Sequence, residues 1–343
     1  GNDSVNGGNG DDEIYVGIAE GNDAIDGGAD YDVAYIIHDG TASTVNLTAS
    51  GGIVTATNAS AQTILTATGV EEIEFQTSAL GGTYNVGAGM VAAGIAAITL
   101  MGGPGYDVVS AAGTDAYLYI EGNGGGLFVT AGSAGDYIVS GVNTENSDDN
   151  ISGGGGDDFI DGQDGNNTID GGDGNDTIYA GSGDDSIMGG AGNDTIYAEL
   201  GNDTIDGGNG DDNIFDSGGT ISIIDAGNNN DYIEVNSLML QNAASDVVGG
   251  SGYDELALSE AGTVIEKLDF NTDGHIANFT NTTSAHITTI LDASGPGNTL
   301  TIDMGADDTF SVAAGEFYMQ SGNDYTFYSD AGLTNEIARI SLI

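Results

Sequence analysis

The stretch from Gly153 to Phe215 is one nine-residue phrase written seven times: GGGGDDFID, GQDGNNTID, GGDGNDTIY, AGSGDDSIM, GGAGNDTIY, AELGNDTID and GGNGDDNIF. Looser copies follow, AGNNNDYIE from Ala226 and GGSGYDELA from Gly249. A second cluster opens the chain with GNDSVN (Gly1), GGNGDDEIY (Gly7), IAEGNDAID (Ile18) and GGADYDVAY (Gly27), and an isolated copy, GGPGYDVVS, starts at Gly102. A period this short restricts the chain to units that cannot fold singly and must stack.

Each position of the phrase has a physical task. Glycines at positions one, two and four permit positive φ and a sharp turn. Position six is a carboxylate, a hard oxygen donor. Position eight is Ile160, Ile169, Ile178, Ile187, Ile196, Ile205 and Ile214 in successive copies, between polar or aromatic neighbours. That triplet predicts a three-residue strand with one side chain facing inward. Stacked copies make a ladder of isoleucines, with two nonapeptides per turn of the coil and turns about 4.8 Å apart. The expected class is all-β, a parallel β-roll or β-helix with additional β-rich segments.

Stacking at that spacing sets an electrostatic condition. The chain has 54 Asp and Glu against Lys267 and Arg339 alone, a formal charge of -52. Acids one turn apart repel strongly unless a cation lies between them. The chain is therefore expected to fold only once a multivalent cation neutralises the acid. The same charge excludes nucleic acid and anionic lipid as partners. There is no cysteine, hence no disulfide or thiolate site. The longest apolar run, MVAAGIAAITLM from Met90 to Met101, is too short to insert in a membrane and is expected as a buried strand pair. Gly1 stands in mid-repeat, from which the native N-terminus is expected upstream.

The phrase resembles G-G-x-G-x-D-x-U-x, the calcium-binding RTX nonapeptide. The resemblance implies a right-handed parallel β-roll, Ca²⁺ between successive turns on the same edge, and secretion to the cell exterior. It implies ligands at the position-six carboxylates and the turn carbonyls. Carried onto this sequence, these are Asp3, Asp12, Asp23, Asp32, Asp107, Asp158, Asp176, Asp185, Asp194, Asp203, Asp212, Asp231 and Asp254, with Gly153, Gly171, Gly189 and Gly207. With two copies per turn, Asp158, Asp176, Asp194 and Asp212 line one edge, and Asn167, Asp185 and Asp203 the other. The first edge is expected to fill, and the second to be weaker at both ends, where GQDG and AELG have lost a glycine. Calcium suits irregular oxygen cages better than magnesium does.

Position nine alternates. Tyr179, Tyr197 and Phe215 form an aromatic column on one outer face, echoed by Tyr15 and Tyr35. These rings either pack under a loop of the same chain or meet another copy of the chain. A further motif, DFNTDGHI from Asp269, carries Asp269, Asn271 and Asp273 as the opening of an EF-hand loop, with Thr280 where a bidentate Glu is expected. A calcium loop and a hairpin with an Asp-Gly turn both fit it.

The organisation expected is an RTX block at 1–35, a β-rich segment at 36–101, a degenerate RTX-like segment at 102–150, the main roll at 151–257, and a β-rich segment at 258–343. Whether 36–150 and 258–343 continue the coil or form separate sandwiches, the pattern allows both. The ending EIARISLI is compatible with an uncleaved secretion signal. No HExxH or GxSxG occurs, and His38, His275 and His286 are isolated, so no enzyme is expected. The reading is an extracellular calcium-binding structural protein, a subunit of a surface layer, sheath or fibre that assembles from copies of itself. The alternative is a fragment of an RTX adhesin, or the C-terminal secretion module of a toxin or hydrolase.

Overall fold

The fold is taken from a computed structural model that describes residues 2–17, 22–37, 44–76, 81–141, 147–216, 218–236 and 245–249, and beyond them the backbone of strands between 254 and 342. The chain forms two compact units, Gly1–Thr177 and Ile178–Ile343. Both are β-solenoids built from parallel strands.

In the first unit one sheet stacks Glu13–Gly17, Val33–Ile37, Glu72–Gln76, Ala97–Met101, Tyr117–Glu121, Tyr137–Val139 and Phe159–Asp161, each parallel to the next. The opposing sheet contains Ser4–Asn9, Asp23–Ala29, Thr83–Val86, Asp107–Ser110, Leu127–Thr130, Asn150–Gly155 and Thr168–Asp173. Alternate residues point inward, and Ile25, Ile36, Ile73, Ile98, Leu118, Ile138 and Ile160 are all buried between the sheets.

The second sheet also holds an excursion. Asp23–Ala29 pairs with Thr63–Thr68, which pairs antiparallel with Ile53–Asn58, and that with Thr44–Ser50, before parallel stacking resumes at Thr83–Val86. Gly51 and Gly52 both have positive φ, 62° and 80°, as a two-residue hairpin loop requires. This sheet thus gains strands that the facing sheet lacks, which leaves more interior to fill. Larger side chains fill it: Phe75, Met90 and Ile95 are buried, with the Tyr84 ring 6.0 Å from Phe75. The run from Met90 to Met101, expected as a strand pair, is instead a 3₁₀ turn, Val91–Ala93, and one strand, Ala97–Met101. Gly94, at φ 103°, ends the turn and redirects the chain, so only the second half extends.

In the second unit Ser186–Ala191, Thr204–Asn209, Ile223–Asp225 and Asp246–Val248 stack in one sheet. Thr195–Tyr197, Asn213–Asp216, Tyr232–Val235, Asp254–Leu258, Ile276–Thr280, Thr299–Ile302 and Glu336–Leu342 stack in the other. The last strand continues antiparallel into Asp324–Tyr328 and Phe317–Ser321. The described strands of residues 36–150 therefore pair into the same sheets as the flanking repeats, and after 258 Ile276–Thr280, Thr299–Ile302 and Glu336–Leu342 continue the parallel pairing.

Within the seven clear copies the triplet strand expected from the phrase occurs in one sheet only, as in Phe159–Asp161 and Thr195–Tyr197. In the other the strand runs six residues, as in Thr168–Asp173 and Thr204–Asn209, because the Gly-Gly that opens the next copy stays in the ladder.

Candidate metal centres

Where each strand begins, the position-six acid of one turn is tied to the next turn. In the first unit the Asp158 N–H donates to Asp176 Oδ1 at 2.8 Å, and the Asp136 N–H to Asp158 Oδ1 at 2.6 Å. In the second, the Asp194 N–H donates to Asp212 Oδ1 at 2.8 Å, and the Asp212 N–H to Asp231 Oδ1 at 2.9 Å. The other edge has the same device: Asp149 N–H to Asn167 Oδ1 at 3.0 Å, and Asp185 N–H to Asp203 Oδ1 at 2.9 Å. The opening cluster repeats it with Asp3 to Asp23 at 2.8 Å and Asp12 to Asp32 at 2.9 Å. Partners lie 18 residues apart in the regular block, which is two nonapeptides, and 20 apart in the opening cluster.

Oδ1 is thereby satisfied. The other oxygen, Oδ2, of Asp12, Asp32, Asp158, Asp203 and Asp212 is buried and accepts no hydrogen bond. An unsatisfied buried carboxylate oxygen is costly. Lys267 and Arg339 both lie beyond residue 249, so no lysine or arginine stands among the side chains described. Burial, with the charges of neighbouring acids added to it, pushes the Asp158 carboxyl up to about 8 against the lowering effect of the Asp136 N–H, and the Asp203 and Asp212 carboxyls up to about 7 and about 6. At neutral pH Asp158 is then held largely protonated, and a cation beside it would restore its charge.

The turn carbonyls converge on the same oxygens. A β-carbon on Gly189 would lie 2.5 Å from the Gly207 carbonyl oxygen and 2.6 Å from Asp194 Oδ2. On Gly7 it would lie 2.5 Å from both the Gly27 carbonyl and Asp12 Oδ2. On Gly153 it would meet Asp158 Oδ2 and stand 2.6 Å from the Gly171 carbonyl. Position one is glycine on this edge because carboxylate and carbonyl oxygens crowd that point. It is not there for positive φ, contrary to the sequence expectation. Positive φ belongs to positions two and four, for example Gly172 at 110° and Gly174 at 137°. Gln163 and Glu199, where glycine was lost, keep that conformation at 61° and 66°.

This donor set, hard anionic oxygens plus carbonyls in an irregular cage, fits Ca²⁺. When bound, the ion supplies the positive charge that the protein lacks. The residues that would hold it are Asp12, Asp32, Asp158, Asp176, Asp194, Asp203 and Asp212, with the carbonyls of Gly27, Gly171 and Gly207.

The other expected residues divide. Asp107 differs in that Oδ1 accepts from the Gly82 N–H at 2.6 Å and Oδ2 from the Gly103 N–H at 3.2 Å. Asp136 is held in the same way by Leu118 and Gly132. Asp3 is exposed, whereas Asp23, Asp185 and Asp231 are buried in column. The side chains of Asp254 and Asp269, and the whole of Asn271 and Asp273, lie outside the described residues. Asp136, Asp149 and Glu71 were missed. The first two sit at position six of degenerate copies, AGSAGDYIV and TENSDDNIS, where the acid-x-Ile spacing was the available signal. Glu71 takes the place of an Asp, its Oε2 accepting from the Asp32 N–H at 2.8 Å.

On the outer face, the rings stack on one another. Tyr179, Tyr197 and Phe215 are 4.6 and 4.9 Å apart and within 11° of parallel. Tyr15 stacks on Tyr35 at 4.5 Å. A ladder missed in the sequence, Tyr119–Tyr137–Phe159, stacks at 5.0 and 4.7 Å.

The family described as RTX calcium-binding nonapeptide repeat (4 copies) matches residues 1–34, 144–178 and 179–214. The chain carries RTX calcium-binding repeats at these places, and Ca²⁺ is the ion they bind. Rolls of such repeats are typically structural, and they occur in secreted proteins. No curated protein matches the chain. Among the described residues, no helix is long and apolar enough to cross a membrane.

Proposed function

We propose that the calcium-loaded solenoid is itself the functional material: an extracellular, non-enzymatic structural protein that serves as a subunit of a surface layer, sheath or fibre. The observation that carries this reading is the spread of buried carboxylates with an unbonded oxygen, from Asp12 to Asp212, through both units. Calcium there organises most of the described chain, where a local regulatory site would serve a single element. The absence of lysine and arginine up to residue 249 supports the same reading. Subunits with so little positive charge attract one another chiefly through bridging ions or apolar contact, and the ladders Tyr15–Tyr35 in the first unit, its Tyr15 exposed, and Tyr179–Tyr197–Phe215 in the second each offer an apolar face. The partner is a second copy of the chain.

Electron microscopy of purified protein with added calcium tests this. Ordered sheets or filaments that dissolve in chelator are expected. Monodisperse single particles at every calcium concentration would instead favour a calcium-folding module that serves another domain, as in an adhesin, toxin or hydrolase.

A further inference from the structure

The column Asp185–Asp203 on the second unit's weaker edge ends at a serine. The Asp203 N–H, which should meet a carboxylate of the next turn, donates instead to Ser222 Oγ at 3.2 Å. This copy is one residue longer than nine, so Ser222, seventh from Asp216, stands where position six stands in the preceding turn, and the turn has thus lost its acid there. The same turn has gained an acid elsewhere. The copy opens at Asp216, and the two preceding copies on this edge open at Ala180 and Ala198, both buried. Asp216 points inward like Ile214, two residues before it in the strand Asn213–Asp216, and is 0% exposed.

Position one and position six of a copy meet in space. Across the solenoid, a β-carbon on Gly153 or Gly189 would touch Oδ2 of the position-six Asp in its own copy. Asp216 accordingly reaches Ser222. The Ser222 hydroxyl and the N–H groups of Gly218 and Gly219 face its carboxylate and favour its charged form, although neither oxygen completes a hydrogen bond of good geometry. Across the turn stands Asp203, 1% exposed, its Oδ2 without any hydrogen-bond partner. Burial first, and then the Asp216 carboxylate, raise the cost of ionising Asp203. Among the described side chains there is no lysine or arginine to neutralise them.

We propose that Asp216 supplies, from position one, the carboxylate that Ser222 lacks at position six, so that Asp203 and Asp216 together bind a calcium ion in a turn that has lost the repeat signature. An acid buried at an alanine position is otherwise destabilising, and its placement beside an unpaired carboxylate oxygen gives it a purpose. The repeat motif does not detect such a site, because its acid lies outside the motif's acidic position. The inference rests on the reading that these turns take calcium.

Native mass spectrometry of the full chain at saturating Ca²⁺ tests it by counting bound ions. Asp216→Ala restores the residue that Ala180 and Ala198 carry and should bind one ion fewer than wild type. Asp216→Asn, of equal volume, should do the same if the alanine variant folds poorly by circular dichroism. Asp216→Ala combined with Ser222→Asp moves the carboxylate back to position six and should regain the ion. The control Asp170→Asn, on an outer face, should leave the count unchanged. An unchanged count in both single variants would overturn the inference, as would a lost ion that Ser222→Asp does not restore. A wild-type protein that binds no calcium would instead overturn the reading beneath it.

Discussion

At the first position of the nonapeptide, glycine and alanine mark two kinds of turn. Gly153 stands where a side chain would strike Asp158 Oδ2 and the Gly171 carbonyl, whereas Ala198 is buried with its methyl accommodated. Gly153→Ala should therefore cost about 1–3 kcal/mol, the usual range for forcing atoms into a packed site, and lower calcium affinity. Calcium titration followed by chemical denaturation would measure both. Position two gives the opposite expectation. Glu199 is exposed and held at φ 66°, a conformation that costs a non-glycine residue about 1 kcal/mol or more. Glu199→Gly should stabilise the calcium-loaded protein by about that amount, read as a rise in denaturation midpoint at unchanged slope. The acids at position six could be read from the spacing. Their hydrogen-bond partners could not, because the amide that meets each Oδ1 comes from the preceding turn. Position-one glycine was read as serving positive φ, and its actual cause was not legible, since crowding by a neighbouring turn leaves no trace in a single copy.

At the scale of one strand, stability comes from an isoleucine inside and an aromatic ring outside. Ile196 is fully buried, and Ile196→Ala should cost about 2–5 kcal/mol. Tyr197, the next residue, stacks between Tyr179 and Phe215. Each such pair contributes about 0.5–1.5 kcal/mol beyond its buried area, so Tyr197→Ala should cost about 1–3 kcal/mol without changing the number of bound ions. The ladder at position nine was visible because Tyr179, Tyr197 and Phe215 recur at one place in clear copies. Tyr119–Tyr137–Phe159 was not, since its rings precede the inward residue, at position seven, and two of them lie in degenerate copies. The antiparallel excursion was half legible. The segment 36–101 was expected to be β-rich, and it holds the strands Thr44–Ser50 and Ile53–Asn58 with the turn at Gly51-Gly52. That Thr63–Thr68 pairs with Asp23–Ala29 is a choice between distant strands that alternation does not encode.

For the whole molecule, the period of the phrase gave the coil, and the chain's charge gave its dependence on a cation. That charge has a consequence for pH. In the cation-free fold, burial raises Asp158 to about 8, Asp203 to about 7, and Asp107, Asp136 and Asp212 to about 6, from 3.8 in the unfolded chain. Between about pH 4 and 8 the folded state then binds more protons than the unfolded one, so stability falls as pH rises. In chelator, the β signal should be stronger at pH 5 than at pH 8. Excess calcium should abolish that difference, because the ion takes over the role of the protons. The most direct test of the account is far-UV circular dichroism at pH 8 as Ca²⁺ is added to chelator-treated protein. The account predicts a disordered spectrum that converts cooperatively to β on addition of the ion and reverts in chelator. A full β spectrum in excess chelator, unchanged by calcium, would contradict it.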